Sequence, residues 1–186
     1  MRVSRAALLA ICVLQGTACE TKTTTSDGTA PVRKPTLSPV APAGTMPNAM
    51  AVTFGPKPAD SDGNLFPDSL NITAYLFSKP HPAPLFCAGT FHFSIYRLGQ
   101  SSSVETAGGE PLREWVMSAE VAHASRSIAL AGPCYEFTLS LLANHGSDAL
   151  PVQSVDLVAW FEPSDASGRV WLRGVRSVQF ARPEGR

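Results

Sequence analysis

Lysine is scarce in this chain: Lys22, Lys34, Lys57 and Lys79 stand against eleven arginines. Charged residues make up only 16% of the sequence, and fifteen cations balance fifteen anions. Phosphate neutralisation needs a surplus of Lys and Arg, so a non-specific nucleic-acid binder is excluded. No apolar run reaches the roughly 20 residues that a membrane-spanning helix requires. There is no Gly-x-Ser-x-Gly elbow, Cys-x-x-Cys pair, His-Glu-x-x-His helix or phosphate-cradling glycine loop. Histidine occurs four times, at His81, His92, His123 and His145. His81, Cys87 and His92 are close in sequence, but their spacing matches no zinc site. Nothing here invites a catalytic assignment, and an enzyme is the least favoured class.

What is present begins with the first nineteen residues. Met1 to Arg5 is a basic region, Ala6 to Leu14 is a nine-residue apolar core that includes Cys12, and Gln15 to Ala18 is small and polar. That order is the pattern of a secretory signal peptide over residues 1–18. Gly16-Thr17-Ala18-Cys19 resembles the lipobox of bacterial lipoproteins, in which the cysteine is acylated and becomes the new amino terminus. Gly16 departs from the family's pattern, which places a branched aliphatic residue there. The resemblance implies lipidation at Cys19, a lipid-bilayer partner and a place in the cell envelope. The alternative is plain secretion to the periplasm after cleavage at Ala18. Removing Arg2 and Arg5 with the leader leaves thirteen cations against fifteen anions, a net charge of −2.

A spacer follows. Residues 19–49 are rich in Thr, Ser and Pro, with Val32, Leu37, Val40 and Met46 scattered among them. So few apolar groups cannot offset the entropy of ordering the chain. Proline favours extended segments of about 3.1 Å per residue, so Glu20 to Pro47 could reach about 85 Å.

From residue 50 to 183 the periodicity is two. Leu70, Ile72, Ala74 and Leu76 alternate with polar neighbours, as do Phe91, Phe93 and Ile95. Tyr135, Phe137, Leu139 and Leu141 form a third run, and Val155, Leu157, Ala159 and Phe161 a fourth. Strands buried on one face are the pattern of antiparallel sheets packed over a common core. Ala51 to Phe54 and Arg113 to Met117 read as further strands, and Ser118 as the N-cap of one short helix. Val170 and Leu172 share a phase with Val178 and Phe180, but Arg176 falls on the same face, and a bulge near Gly174 would restore the alternation. The expectation is an all-β antiparallel sandwich of seven or eight strands with one short helix. An immunoglobulin-like architecture is an analogy only, because the Cys87, Trp115 and Cys134 spacings are too short for that family's core. Residues 184–186 read as a tail.

The most suggestive loop is Asp60-Ser61-Asp62-Gly63-Asn64-Leu65-Phe66-Pro67-Asp68. Oxygen donors at alternate positions suit a hard cation with six to eight oxygen ligands. The nine residues resemble a thrombospondin type 3 or EF-hand-like calcium loop. Asp60, Asp62, Asn64 and Asp68 match its first, third, fifth and ninth positions. Leu65 stands where that family places glycine, and Asn71 where it places glutamate. The resemblance implies a tentative calcium site; the simpler reading is a loop of Asx turns.

Cys87 and Cys134 remain once Cys12 and Cys19 are set aside. Outside the cytoplasm they form either a disulfide or two buried thiols, the strand phase of the two being opposed. Arg169, Arg173, Arg176, Arg182 and Arg186 form either a contact for anionic groups or a protected edge strand. Trp115, Trp160 and Trp171 pack in the core or on a second face, or else leave a ring open for sugar stacking. The functional expectation is a non-catalytic, membrane-anchored envelope lipoprotein with a structural or protein-interaction role. A calcium-dependent or polysaccharide-binding module is the alternative.

Overall fold

The computed structural model describes residues 39–55, 57–103, 106–107, 109–165, 167–174 and 176–180. The expected signal peptide, Cys19, most of the tether and the 184–186 tail lie outside the described residues, with Arg182 and Arg186. All that follows concerns the unit Ser38–Arg186.

Twelve strands are described: β1 Ala49–Phe54, β2 Ser69–Phe77, β3 Pro84–Leu85, β4 Gly89–Arg97, β5 Ser101–Ser103, β6 Thr106–Ala107, β7 Arg113–Met117, β8 Arg126–Ala129, β9 Gly132–Ser140, β10 Ser154–Pro163, β11 Val170–Trp171 and β12 Arg176–Gln179. Eight of them are four residues or longer, within the seven or eight strands expected, although β8 is not among those read from the sequence. Helix α1, Ala119–Ala124, begins where Ser118 Oγ accepts from the Val121 amide, and a 3₁₀ turn spans Ala143–His145.

The fold is an antiparallel all-β sandwich. One sheet runs β1-β2-β9-β8, with β3 on β2 beyond the end of β9; the other runs β11-β10-β4-β7, with β12 also on β10. β5 and β6 make a separate hairpin. The four period-two runs are β2, β4, β9 and β10, the central strands, and each aims its apolar set inward. Leu70, Ile72, Phe91, Phe93, Tyr135, Phe137, Leu157 and Phe161 meet in one core. Trp115 spans the two layers, its Nε1 donating to the Ser140 carbonyl at 2.8 Å.

Both open edges are managed. Helix α1 connects β7, at the edge of one sheet, to β8, at the edge of the other. On the opposite side Met50 of β1 forms a parallel bridge with Leu172, next to β11. An uncovered edge would offer unpaired amides to another chain, and this near-closure limits that risk.

Two boundaries differ from expectation. The carboxy-terminal segment is not one bulged strand. It breaks after Leu172, with Gly174 at φ +77°, and both pieces pair with β10. Val170, Leu172, Val178 and Phe180 all reach the core, as their shared phase requires. The contacts of the folded domain also begin before Met50. Asn48 Nδ2 donates to the Lys79 carbonyl and its Oδ1 accepts from the Lys79 amide, pinning a stretch that composition alone assigns to the tether.

Candidate functional site

The acidic loop joins β1 to β2 and is pinched shut at its base. The Ala59 and Ser69 amide and carbonyl pair at 2.8 Å, and the Asp68 amide donates to Ala59 at 2.9 Å. Within the loop the side chains accept from the backbone. Asp60 Oδ1 takes the Gly63 amide and Oδ2 the Leu65 amide, each at 2.7 Å. Asp62 Oδ1 accepts from the Asn64 amide at 3.1 Å, and Asn64 Oδ1 from the Phe66 amide at 2.8 Å. Gly63 and Leu65 both adopt left-handed backbone, at φ +77° and +71°. Glycine does so freely; Leu65 is held there against its own preference.

Asp68 differs from its companions. Asp60 and Asp62 are exposed, whereas Asp68 is fully buried. Its Oδ2 accepts from the Ser61 amide at 2.9 Å and from Ser61 Oγ at 2.8 Å, while its Oδ1 has no hydrogen-bond partner. One carboxylate oxygen from each of Asp60, Asp62 and Asp68 lies within 4.8 Å of the others. Desolvation pushes the Asp60 carboxyl up, but the Leu65 and Gly63 amides, helped by Asp62 and Asn64, override it and hold it below its ordinary value.

A partner invisible in the sequence completes the arrangement. Asn64 Nδ2 donates to Asp62 Oδ2 at 3.0 Å and to Asp148 Oδ2 at 2.8 Å, tying the loop to a segment 84 residues away. Phe66 and Pro67 then form one wall of a groove of about 250 Å³, with Asp148, Leu150, Val152 and Phe180 among its other lining residues.

The outer face of the second sheet carries a row of rings. His92 on β4, Trp160 on β10 and Trp171 on β11 are neighbours in register. His92 stacks on Trp160 at 4.7 Å and 4°, and Trp171 lies 5.1 Å from Trp160 on its other side. Both faces of Trp160 are therefore taken by other rings, and its Nε1 is buried without a partner. Stacking on a sugar needs a free face, which Trp160, lying between two rings, does not offer. Burial lowers the His92 pKa, against the pull of Glu162, whose Oε2 is 3.6 Å from Nε2 and too far for a hydrogen bond. Arg169 pairs with the same glutamate at 3.8 Å, and Arg173 and Arg176 are exposed along that edge.

Cys87 and Cys134 are free thiols and not a disulfide. Strand parity places Cys134 on the face of β9 opposite inward Tyr135. Cys87 is held near the Tyr135 hydroxyl, with Sγ 3.6 Å from the Ala88 carbonyl oxygen. Burial, then Asp165, raises the Cys87 pKa over the opposing effect of Arg126. A protonated, half-buried thiol is a poor nucleophile.

His145 lines an open groove with Glu110, Arg113 and Glu114. No hydrogen bond or ion pair joins it to either glutamate among the described residues. No helix among them is long and apolar enough to cross a membrane. No family model, curated protein or solved structure matches the chain.

Proposed function

We propose that this protein is an exported lipoprotein, moored to a membrane of the cell envelope through acylated Cys19. Its β-sandwich serves a non-catalytic, structural or protein-interaction role. The observation that carries the reading is the amino-terminal order: a basic start, nine apolar residues, then Gly16-Thr17-Ala18-Cys19 and a Thr/Pro-rich spacer. One acyl chain binds a bilayer only marginally while two or more hold it stably, so a multiply acylated terminus followed by a long flexible spacer suits a domain that works away from the surface. The groups a catalytic reading would recruit are unhelpful: burial raises the Cys87 pKa, and among the described residues no acidic side chain pairs with His145 to orient it. Polysaccharide binding loses support from the mutual stacking of His92, Trp160 and Trp171.

Mass spectrometry of the amino-terminal peptide from native membranes tests this. The expected peptide begins at an acylated Cys19, and Cys19→Ala moves the protein to the soluble fraction. Recovery of an intact chain from Met1 in the cytosol would overturn the proposal.

A further inference from the structure

We propose that Asp60, Asp62 and Asp68 bind one calcium ion, which clips the β1–β2 loop to the Asp148 segment through Asn64. The inference is independent of where the chain is anchored, since it rests on the folded unit alone.

Geometry supplies the first support. Calcium holds each oxygen at about 2.3–2.6 Å, so two ligands of one ion lie at most about 5 Å apart. The three carboxylate oxygens already fall within 4.8 Å of one another, inside the span of one coordination sphere. Each carboxylate also keeps lone pairs free after accepting its loop amides, so ion binding need not break those bonds.

The second support is independent of the loop's shape. Asp68 is fully buried, and its Oδ1 receives no hydrogen bond. A buried carboxylate oxygen without a donor bears an uncompensated desolvation cost, and native structures rarely leave one so. The only ion pairs among the described residues are those of Glu162, with His92 and Arg169. Among the described residues, therefore, no Lys, Arg or His pairs with Asp60, Asp62 or Asp68. A metal cation satisfies both deficits at once: it gives Oδ1 a partner and offsets three neighbouring negative charges.

The donor set selects the ion. All three ligands are oxygens, with neither imidazole nor thiolate in the cluster, which favours a hard cation over zinc or copper. Two of the three carboxylates are exposed on a loop, which suits the variable, water-completed shell of calcium. Magnesium demands tighter, near-ideal octahedral geometry. Asn64 is the mechanical link, because its amide donates to Asp62 and Asp148 together. Loading the ion fixes Asp62, hence Asn64, hence the Phe66–Pro67 wall of the neighbouring groove.

The full chain, stripped with chelator, should be titrated with calcium chloride in a calorimeter, with magnesium chloride as the comparison. One calcium per chain is expected, with a Kd of about 10⁻⁵ to 10⁻³ M and magnesium at least tenfold weaker. Saturating calcium should raise Tm by about 5 °C. Asp62→Asn should weaken calcium at least tenfold while leaving the calcium-free Tm within about 2 °C, since Asp62 is exposed and bonds only within its loop. Asp68→Asn should abolish the Tm response. No heat and no Tm shift at about 10 mM calcium, tenfold above the weakest extracellular sites, would overturn the proposal. So would calcium and magnesium binding equally, or Asp62→Asn binding calcium as the parent does.

Discussion

Tyr135 makes two hydrogen bonds with one hydroxyl, donating to the Cys87 carbonyl at 2.7 Å and accepting from the Cys87 amide at 2.8 Å. The segment it holds, residues 86–88, carries the chain from β3 in one sheet to β4 in the other. The ring packs against Phe91, and burial pushes the phenol pKa up, because an ionised oxygen would lose its solvent. Tyr135→Phe keeps the ring and removes both bonds, leaving a partly buried amide and carbonyl unsatisfied. It should cost about 1–3 kcal/mol, read as a lower urea midpoint at unchanged m-value. An equal midpoint would mean that water replaces the hydroxyl. Alternation in the sequence identifies Tyr135 as inward-facing. It cannot identify the partner, because a backbone group 48 residues upstream leaves no trace in residue type. Asp148 is hidden for the same reason. Asp68 is the converse: its place in the acidic run is plain, but its complete burial follows only from where β2 begins.

At the scale of elements, β10 is the hub, pairing with β4 from Val155 to Pro163 and with β11 and β12 on its other side. Such a strand must bury both faces in part, which is why Trp160 is covered although it opposes the core. Asp156 shows the same effect. It is buried on the outward face, where it accepts from the Gly99 amide and the Ser101 and Ser177 hydroxyls. Long strands with one apolar face were legible from alternation. Strand β8 was not, because at an edge it presents Ile128 outward, 71% exposed, which inverts the usual pattern. Strand β3 has two residues, too few to show any period, whereas β11, equally short, was visible only through the shared phase of Val170 and Leu172. Gly89, opposite Pro163 in the β4–β10 ladder, is required by close approach rather than by a turn. A Cβ there would stand 2.4 Å from both the Glu162 carbonyl oxygen and Phe161 Cζ. Because one obstacle is backbone, a rotamer change cannot relieve it. Gly89→Ala should destabilise by about 2–3 kcal/mol, measured by denaturant unfolding. A neutral result would show that the end of β4 peels away from β10 at little cost.

At the scale of the folded unit, stability depends on one core shared by two sheets, joined at one edge by α1 and at the other by the Met50–Leu172 bridge, with no disulfide between Cys87 and Cys134. The expectation of an exported protein makes a disulfide natural, and composition left that choice open. The structure opposes it through parity: Cys134 lies on the face opposite inward Tyr135, while Cys87 is pinned beside that residue's hydroxyl. The two alternatives differ by an amount that heating can resolve. Closing a loop of nearly fifty residues would stabilise by roughly 4 kcal/mol on the chain-entropy model. For a domain of this size that corresponds to about 10 °C or more in Tm. Scanning calorimetry with and without a phosphine reductant should therefore give the same Tm, within about 1 °C, if the thiols are free. Native-state alkylation should modify half-buried Cys87 before fully buried Cys134, although the raised pKa of Cys87 keeps its own reaction slow. Both thiols should become reactive together on unfolding, since a single core opens as a unit. A fall of about 10 °C under reductant would instead show that β9 shifts phase to bring Cys134 to Cys87. It would then also displace Tyr135 from the bonds that carry the chain between the sheets.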